Sequence, residues 1–260
     1  MLSVERRTKA ASFLGAICAV ALSASPALAQ GPARTTEEWS FTLSPYVWFS
    51  GLGGEVTLPR GAESFSADFG DIFESLKFSA MGIFEARRNN VSLLFDLMYL
   101  NMQQGVPVPG DGAFSGGSSR VKTTEASAIA LVTLAEGPSG RFELGGGLRA
   151  WWLNTEIRLD PGLLPGRTVD QTTNWVDPVI AARASLRLND RLSLTGYGDI
   201  GGFGVGSEFT WQAIATLDWR VSDWISASLG YRWIQIEYED RRATINLDMS
   251  GPIIGASFRF

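Results

Sequence analysis

The chain reads PIIGASFRF over residues 252–260, and this segment is the clearest indication of its fold. Counting back from Phe260 and Phe258, every second side chain is apolar, whereas Arg259 and Ser257 alternate with them. A period of two is that of a β-strand with one apolar face. A closing strand that ends on phenylalanine is typical of transmembrane barrels of the bacterial outer membrane. We expect Phe258 and Phe260 to act as the C-terminal insertion signal for the barrel-assembly machinery.

The first 29 residues have the three parts of a secretory signal. The stretch begins with three cations, continues through an apolar core over residues 13–22 and ends on Ala-Leu-Ala at 27–29. The single cysteine, Cys18, lies inside this segment, so the mature chain is predicted to contain no disulfide and no thiolate metal site. We expect residues 1–29 to be removed and residues 30–260 to form one barrel domain.

Composition argues against several functions. The predicted signal holds three of the 22 basic and one of the 27 acidic residues, which leaves 19 against 26 and a net charge of −7. An acidic chain is a poor partner for nucleic acid. No histidine occurs in the 260 residues, and histidine is the commonest general base. We therefore predict no enzyme activity, no cofactor and no metal. A lipid-modifying barrel enzyme is a distant third alternative; without histidine it would have to be a carboxylate-only hydrolase, for which Asp68, Asp71 and Glu74 are the densest acidic group.

The glycine-rich run at 201–206 is a further candidate, in this case for phosphate binding. It lacks the Gly-Lys-Ser/Thr ending of a phosphate loop, and no helix follows it. Without a helix N-terminus, the main physical component of an anion site is missing. We predict a tight loop at this place.

Segments of ten to sixteen alternating residues recur along the mature chain, each followed by a turn. They predict ten strands in a closed, antiparallel, up-and-down transmembrane β-barrel: 39–50, 77–88, 91–103, 121–134, 141–155, 175–188, 192–202, 209–221, 225–238 and 244–260. Tight turns alternate with long loops over 51–76, 104–120 and 156–174, which places both termini in the periplasm. Eight strands is the alternative, because the connections at 203–207 and 239–243 are short for external loops.

The same alternation predicts which charged side chains face the lumen. They are Glu85, Arg87, Asp96, Glu125, Glu143, Arg149, Asp177, Arg183, Arg187, Asp199, Asp218, Arg232 and Arg259. Seven are acidic and six basic, so the interior is expected to be close to neutral. Isolated charges in a narrow tube would be costly, and near-balance favours pairing across it. We expect a largely plugged, charge-paired lumen and a structural or surface-interaction role; a narrow channel for small polar solutes is the alternative.

Nine tryptophans predict aromatic belts at the two membrane interfaces. One belt would hold Trp39, Trp219 and Trp224 near the tight turns, and the other would lie near the loops and contain Trp48, Trp152, Trp175, Trp211 and Trp233. A soluble barrel of lipocalin type is the alternative, and it would bury its apolar side chains inward and place its polar ones in water.

Seven cations near the loop ends suggest a partner. They are Lys77, Arg120, Lys122, Arg158, Arg167, Arg241 and Arg242. Arginine binds phosphate through two parallel hydrogen bonds. In an outer leaflet these side chains would meet the phosphates of lipopolysaccharide, although ordinary solvated loop charge explains them equally well.

Several motifs resemble a widespread group of proteobacterial outer-membrane β-barrel proteins, the opacity-type and small porin-like barrels. They are the segments 43–48, 69–72, 198–207, 211–212, 230–233 and 250–260, which span most of the mature chain. The resemblance implies a membrane barrel in the outer membrane. It implies no catalytic residues.

Overall fold

Ten strands form a closed antiparallel barrel in the computed structural model, which describes residues 38–58, 61–105, 112–240 and 243–260. In chain order the elements are β1 (Ser40–Trp48), β2 (Gly51–Leu58), β3 (Gly61–Ala67), α1 (Phe69–Ser75), β4 (Leu76–Arg88), β5 (Val91–Gly105), β6 (Phe114–Gly137), β7 (Gly140–Pro161), β8 (Arg167–Arg187), β9 (Leu192–Gly202), β10 (Phe209–Arg220), β11 (Ile225–Asp240) and β12 (Ala243–Arg259). The predicted signal segment lies outside the described residues.

The barrel closes through β1, which pairs with β4 on one side and β12 on the other. Leu43 lies opposite Phe84 in β4 and opposite Phe258 in β12. The Phe41 N–H donates to the Phe260 carbonyl at 2.9 Å, and the Phe260 N–H donates back at 3.0 Å. The other nine barrel strands, β4 to β12, pair consecutively in chain order. The prediction of a ten-stranded barrel is confirmed, and the eight-stranded alternative is wrong because β9–β10 and β11–β12 are separate hairpins.

The two ends of the barrel differ in their connections. Four short turns lie at one end, here called the turn end, over residues 89–90, 138–139, 188–191 and 221–224. The strand ends at Ser40 and Arg259 lie there too, because β1 and β12 pair at this end. The opposite end, here called the loop end, carries the connections 49–75, 106–113, 162–166 and 203–208, and the two-residue connection 241–242.

The loop end contains more regular structure than the sequence predicts. The hairpin β2–β3 and the helix α1 occupy the predicted loop 51–76, and β2 pairs with the first half of β12. Helix α1 begins with a capping box, in which the Asp71 N–H donates to Asp68 Oδ1 at 3.0 Å and the Asp68 N–H donates to Asp71 Oδ2 at 3.2 Å. These two carboxylates, the core of the distant hydrolase alternative, therefore satisfy the first turn of a helix.

Strands β6, β7 and β8 are 24, 22 and 21 residues long and extend beyond the other strands at the loop end. They occupy most of the predicted loops 104–120 and 156–174 within the described residues. Alternation fades in these segments because both faces of the sheet carry polar residues there. The backbone ladder continues nevertheless, so the extended sheet, here called the blade, projects past the barrel wall.

The barrel wall is apolar on the outside. Exposed large side chains occur along its strands, among them Leu43, Phe95, Leu97, Leu144, Leu148, Val176, Ile180, Leu186, Leu229 and Ile254. Buried charged and polar side chains alternate with them and face inward. This distribution is the reverse of the soluble lipocalin-type alternative and suits a wall surrounded by lipid. Among the described residues, no helix has the length and apolar character needed to cross a membrane.

Tryptophans lie on both faces of the wall. Trp39, Trp219 and Trp224 are exposed at the turn end, and Trp152 and Trp233 are exposed toward the loop end. The belt prediction is wrong for Trp48 and Trp175, which are buried inside the barrel. Trp48 and Trp175 lie near the loop ends of their strands, where a belt is expected. However, each is two residues from an inward side chain, Tyr46 or Asp177, and therefore faces the lumen.

Candidate functional site: the barrel lumen

Two acidic and two basic side chains form a compact cluster near the turn end, here called the turn-end cluster: Glu85, Arg87, Glu143 and Arg183. Arg183 donates to Glu143 Oε2 at 2.6 Å and to both oxygens of Glu85 at 2.9 and 3.0 Å. Arg87 donates to Glu85 and to Glu143, each at 2.9 Å. The cluster is neutral, and these charge-assisted bonds span β4, β7 and β8 across the lumen.

A second cluster, here called the central cluster, lies closer to the middle of the barrel. Its charged members are Asp96, Glu125, Arg149, Asp199 and Arg232. Arg149 donates to Asp199 at 2.5 Å and lies 3.3 Å from Glu125 Oε1. Arg232 lies 3.1 Å from Asp96 Oδ2 and 3.8 Å from Glu125 Oε2. Three carboxylates thus share two guanidinium groups, which leaves one negative charge in excess.

Neutral side chains complete the central cluster. The Tyr46 hydroxyl donates to Asp96 Oδ1 at 2.9 Å and accepts from Arg232 Nη1. Arg232 also donates to the Gln212 amide oxygen at 2.5 and 2.9 Å, and its guanidinium carbon lies 5.1 Å from the Trp48 ring centroid. Ser127 donates to Glu125. With these partners, a fully buried guanidinium is held in a fixed position.

Apolar side chains pack against one another inside the barrel on the loop side of the central cluster. This apolar plug consists of Trp48, Met98, Trp151, Trp175, Ile234, Ile236, Met249 and Ile253. The Trp151 and Trp175 rings stack with centroids 6.0 Å apart, and Trp175 also contacts Tyr238 at 4.5 Å. Ile253 belongs to the terminal stretch from which the fold was predicted, and it faces inward as the alternation requires. The plug adds an apolar layer to the two charged layers.

Asp177 holds the β9–β10 connection at the mouth of the plug. Its carboxylate is fully buried and accepts from the Ser207 N–H at 2.6 Å and from Trp175 Nε1 at 3.0 Å. Gly202 and Gly204 have φ of 88° and 71°, and a Cβ on Gly206 would lie 2.6 Å from Asp177 Oδ1. The predicted tight glycine loop is therefore shaped for close approach to this carboxylate.

We expect Asp177→Ala to release the loop over residues 203–208. The change removes the acceptor of the Ser207 N–H, whose bond to a charged group contributes about 1.5–3 kcal/mol. Because opening of the loop would cost that much less free energy, amide hydrogen exchange in the loop should become at least about tenfold faster. Asp190→Ala, in an exposed turn, is the matched control and should leave the loop unchanged. Equal exchange in the two variants would show that Asp177 does not anchor it.

The remaining predicted lumen charges lie toward the turn end. Asp218 accepts from Ser228 at 2.6 Å, Thr195 at 2.9 Å and Thr216 at 3.2 Å. Arg187 and Arg259 are exposed near the ends of their strands. At the strand ends a long arginine side chain reaches water, so neither Arg187 nor Arg259 adds its charge to the buried interior. Seven acidic and four basic side chains of the predicted set therefore lie away from the strand ends, an excess of three carboxylates within that set.

Several lumen residues were missed by sequence reasoning. Tyr46 and Gln212 bind the central cluster, and Ser92 donates to Glu143 at 3.0 Å. Trp151 and Met98 are buried in the plug. The alternation of their strands places all five on the inner face. Restricting the search to charged residues omitted them.

The described residues hold no group of three or more histidine, cysteine, aspartate or glutamate side chains suited to a metal ion. Of the cations predicted to meet phosphate, Lys77, Arg158 and Arg167 are exposed, and Arg120 and Lys122 are partly exposed. Arg241 and Arg242 lie outside the described residues. Within the lumen, guanidinium and carboxylate groups hold one another in place.

No protein-family model and no curated protein sequence matches the chain. Among solved structures, the outer membrane protease OmpT from Escherichia coli matches with a TM-score of 0.58 at 11% identity, over 86% of this chain and 98% of that one. The translocator domain of the autotransporter NalP from Neisseria meningitidis gives 0.41 at 12% identity, over 88% and 91%. The transport unit of the autotransporter AIDA-I from Escherichia coli gives 0.40 at 8% identity, over 90% and 94%. Of these three only OmpT exceeds 0.5, and at this identity the likeness is one of fold. The opacity-type resemblance stays a prediction.

Proposed function

We propose that the protein is an integral outer-membrane barrel with a closed lumen and a surface-interaction role carried by its loop end. The apolar outer wall supports residence in lipid, since an exposed belt of this extent would be costly in water. Short turns at one end and long loops at the other support the orientation in which the turn end faces the periplasm. The predicted secretory signal agrees with export.

The burial of charge in the lumen carries the proposal of a closed barrel. Arg149, Arg232, Glu125 and Asp177 have no exposed surface, although all four face the barrel interior. A continuous path for water along the lumen would wet at least some of these groups. A ten-stranded barrel is only somewhat wider than the eight-stranded size that side chains can fill. Two charged layers and the apolar plug fill this one.

The blade supports a role at the surface. It projects beyond the barrel, and its β7–β8 tip exposes Leu163 by 83% and Leu164 by 52%. Ile157 and Val169 form an exposed cross-strand pair below the tip. Exposed apolar side chains on a projecting element are typical of contact surfaces. The loop end is thus the part of the molecule equipped to meet other molecules.

We also propose that the protein is not an enzyme. The sequence contains no histidine to act as a general base. The lumen carboxylates of the turn-end cluster are held by arginines, so they are not free to accept a proton from a substrate. The protease activity named for OmpT belongs to that protein, and at 11% identity it does not extend to this chain.

Planar-bilayer recording tests the closed lumen. We expect the refolded wild-type protein to give no large, stable, ohmic current steps, because the charged layers and the plug leave no wide water path. A general porin reconstituted in the same lipid is the positive control, and liposome swelling with small sugars should likewise be absent. Reproducible ohmic steps at most insertions would overturn the proposal.

A narrow channel is the second candidate function, favoured by the excess of three carboxylates inside the barrel. Such an interior would attract cations over anions. The same recordings distinguish the two candidates: small currents whose reversal potential in a salt gradient follows the cation would support the channel, and their absence would support the closed barrel.

A further inference from the structure

A shallow apolar groove of about 740 Å³ crosses the outer wall from β1 to β8. Ala126 in β6 and Ala150 in β7 are cross-strand partners, and they lie between the larger Leu97 in β5 and Val176 in β8. One row nearer the turn end, Ala128 lies between Phe95 and Leu148. Small residues flanked by large ones on the same face leave a recess about the width of a hydrocarbon chain.

Polar rows lie directly above this groove on the same strands. The first row toward the loop end consists of Tyr99, Thr124 and Trp152, an interfacial composition. The next row is Asn101, Lys122 and Asn154, and the row beyond it is Gln103, Arg120 and Glu156. Ala126 and Lys122 are four residues apart on β6, about 13 Å along a strand.

Three cations stand over the groove. Lys77 occupies an irregularity in the β4–β5 pairing between Leu76 and Phe78, and Phe78 is the cross-strand partner of Asn101. Arg120 donates to Gln103 at 3.1 Å. Within the described part of the chain, Lys77, Lys122 and Arg120 make no ion pair. Glu156 and its cross-strand partner Asp170 on β8 are the acidic residues of these rows between β4 and β8. The headgroup side of the groove therefore carries three cations and two carboxylates, a net charge of +1.

We propose that the groove and its cations form a binding site for one molecule of lipopolysaccharide. An acyl chain would lie along the alanines, and a phosphate of the headgroup would contact Lys77, Arg120 and Lys122. This site rests on the proposed outer-membrane location with the loop end outward. It selects three of the seven cations that sequence reasoning considered and assigns no role to Arg158 and Arg167, which lie farther along the blade.

The charge above the groove favours a lipid over a second copy of the chain. Two copies inserted in the same direction and joined through this wall would be related by a two-fold axis along the membrane normal. Their cation rows would then meet at the same height and repel. An anionic amphiphile matches both the apolar recess and the cationic rim, and it requires no contact between like charges.

Binding of lipopolysaccharide to the refolded full-length protein in detergent tests the site. We expect Lys77→Gln/Arg120→Gln/Lys122→Gln to weaken binding at least about tenfold, as expected for lost charge-assisted hydrogen bonds. Ala126→Leu/Ala150→Leu fills the groove and keeps every charge, and it should weaken binding similarly. Arg158→Gln/Arg167→Gln is the matched control and should bind as wild type. Far-UV circular dichroism verifies that each variant is folded.

A parallel titration with phosphatidylglycerol distinguishes the lipid source, because this lipid also carries acyl chains and a phosphate. We expect phosphatidylglycerol to bind at least about tenfold more weakly than lipopolysaccharide, which would engage all three cations. Equal lipopolysaccharide binding by all variants, or equal affinity for both lipids, would overturn the proposal. A change from dimer to monomer on filling the groove would assign it to a second copy instead. Conductance without loss of lipid binding would overturn the closed lumen alone, so the two proposals fail separately.

Discussion

Replacing Arg149 by alanine is expected to lower the free energy of unfolding by about 3–5 kcal/mol, the cost of breaking a buried ion pair by removing one partner. Arg149 has no exposed surface and donates to Asp199 at 2.5 Å while lying 3.3 Å from Glu125. Its removal leaves three carboxylates in the central cluster with Arg232 alone. Asp199 would remain buried without its guanidinium partner, and Glu125 would keep only Arg232 at 3.8 Å, which it shares with Asp96.

Urea titration of the refolded protein in lipid vesicles, followed by circular dichroism, measures this loss. Arg187→Ala is the matched control, because Arg187 is exposed at the turn end and makes no ion pair among the described residues. Its free energy of unfolding should stay within about 0.5 kcal/mol of wild type. A loss below about 1 kcal/mol for Arg149→Ala, the size of a surface pair, would mean that water enters the lumen and solvates Glu125 and Asp199.

The barrel was predictable because the membrane imposes one rule on every strand. Lipid outside and polar side chains inside favour a period of two along most of the wall: Ile180 faces outward and Arg183 faces inward. The apolar plug interrupts this contrast toward the loop end. Ten strands and their alternating connections follow from counting that period. Beyond the membrane, alternation of apolar and polar residues is no longer required. The sequence therefore predicts loops where β2, β3, α1 and the blade form regular structure.

The inner face was predictable, but the depth of each residue in the lumen was not. Alternation assigns Arg187 to the same face as Arg183, yet only Arg183 lies low enough to reach Glu85 and Glu143. Conversely, height alone placed Trp48 and Trp175 in a belt, although their phase in the strand points inward. The face of the strand and the position of the residue along the barrel axis must therefore be considered together. The position along the barrel axis depends on how neighbouring strands are staggered, which a single sequence does not reveal.

The two charged clusters differ in a way that a single pair of substitutions reveals. Glu143 belongs to the neutral turn-end cluster and Glu125 to the central cluster, which has one carboxylate in excess. Both side chains are almost fully buried. The same change, glutamate to glutamine, removes one negative charge and preserves the shape at each site. A difference between the two variants therefore reports how each carboxylate is held by guanidinium groups together with the charge balance of its cluster.

Glu143→Gln is expected to lower the free energy of unfolding by about 3 kcal/mol or more, as for a broken buried pair. Both Glu143 oxygens accept from arginines, Oε1 from Arg87 at 2.9 Å and Oε2 from Arg183 at 2.6 Å. A glutamine amide must point its NH₂ group at one of these guanidinium groups, donor against donor. The cluster would also keep two guanidinium groups with Glu85 as their only carboxylate.

Glu125→Gln should instead stay within about 1 kcal/mol of wild type, the net value of an ordinary hydrogen bond. Glu125 Oε1 accepts from Ser127, whereas Oε2 makes no hydrogen bond and lies 3.8 Å from Arg232. The NH₂ group of glutamine can take the place of Oε2 without losing a bond, and the central cluster becomes neutral. Urea midpoints measured side by side decide the matter. Equal losses in the two variants would mean that the excess carboxylate is already neutralised by a proton or an ion, so that charge count does not govern the stability of the lumen.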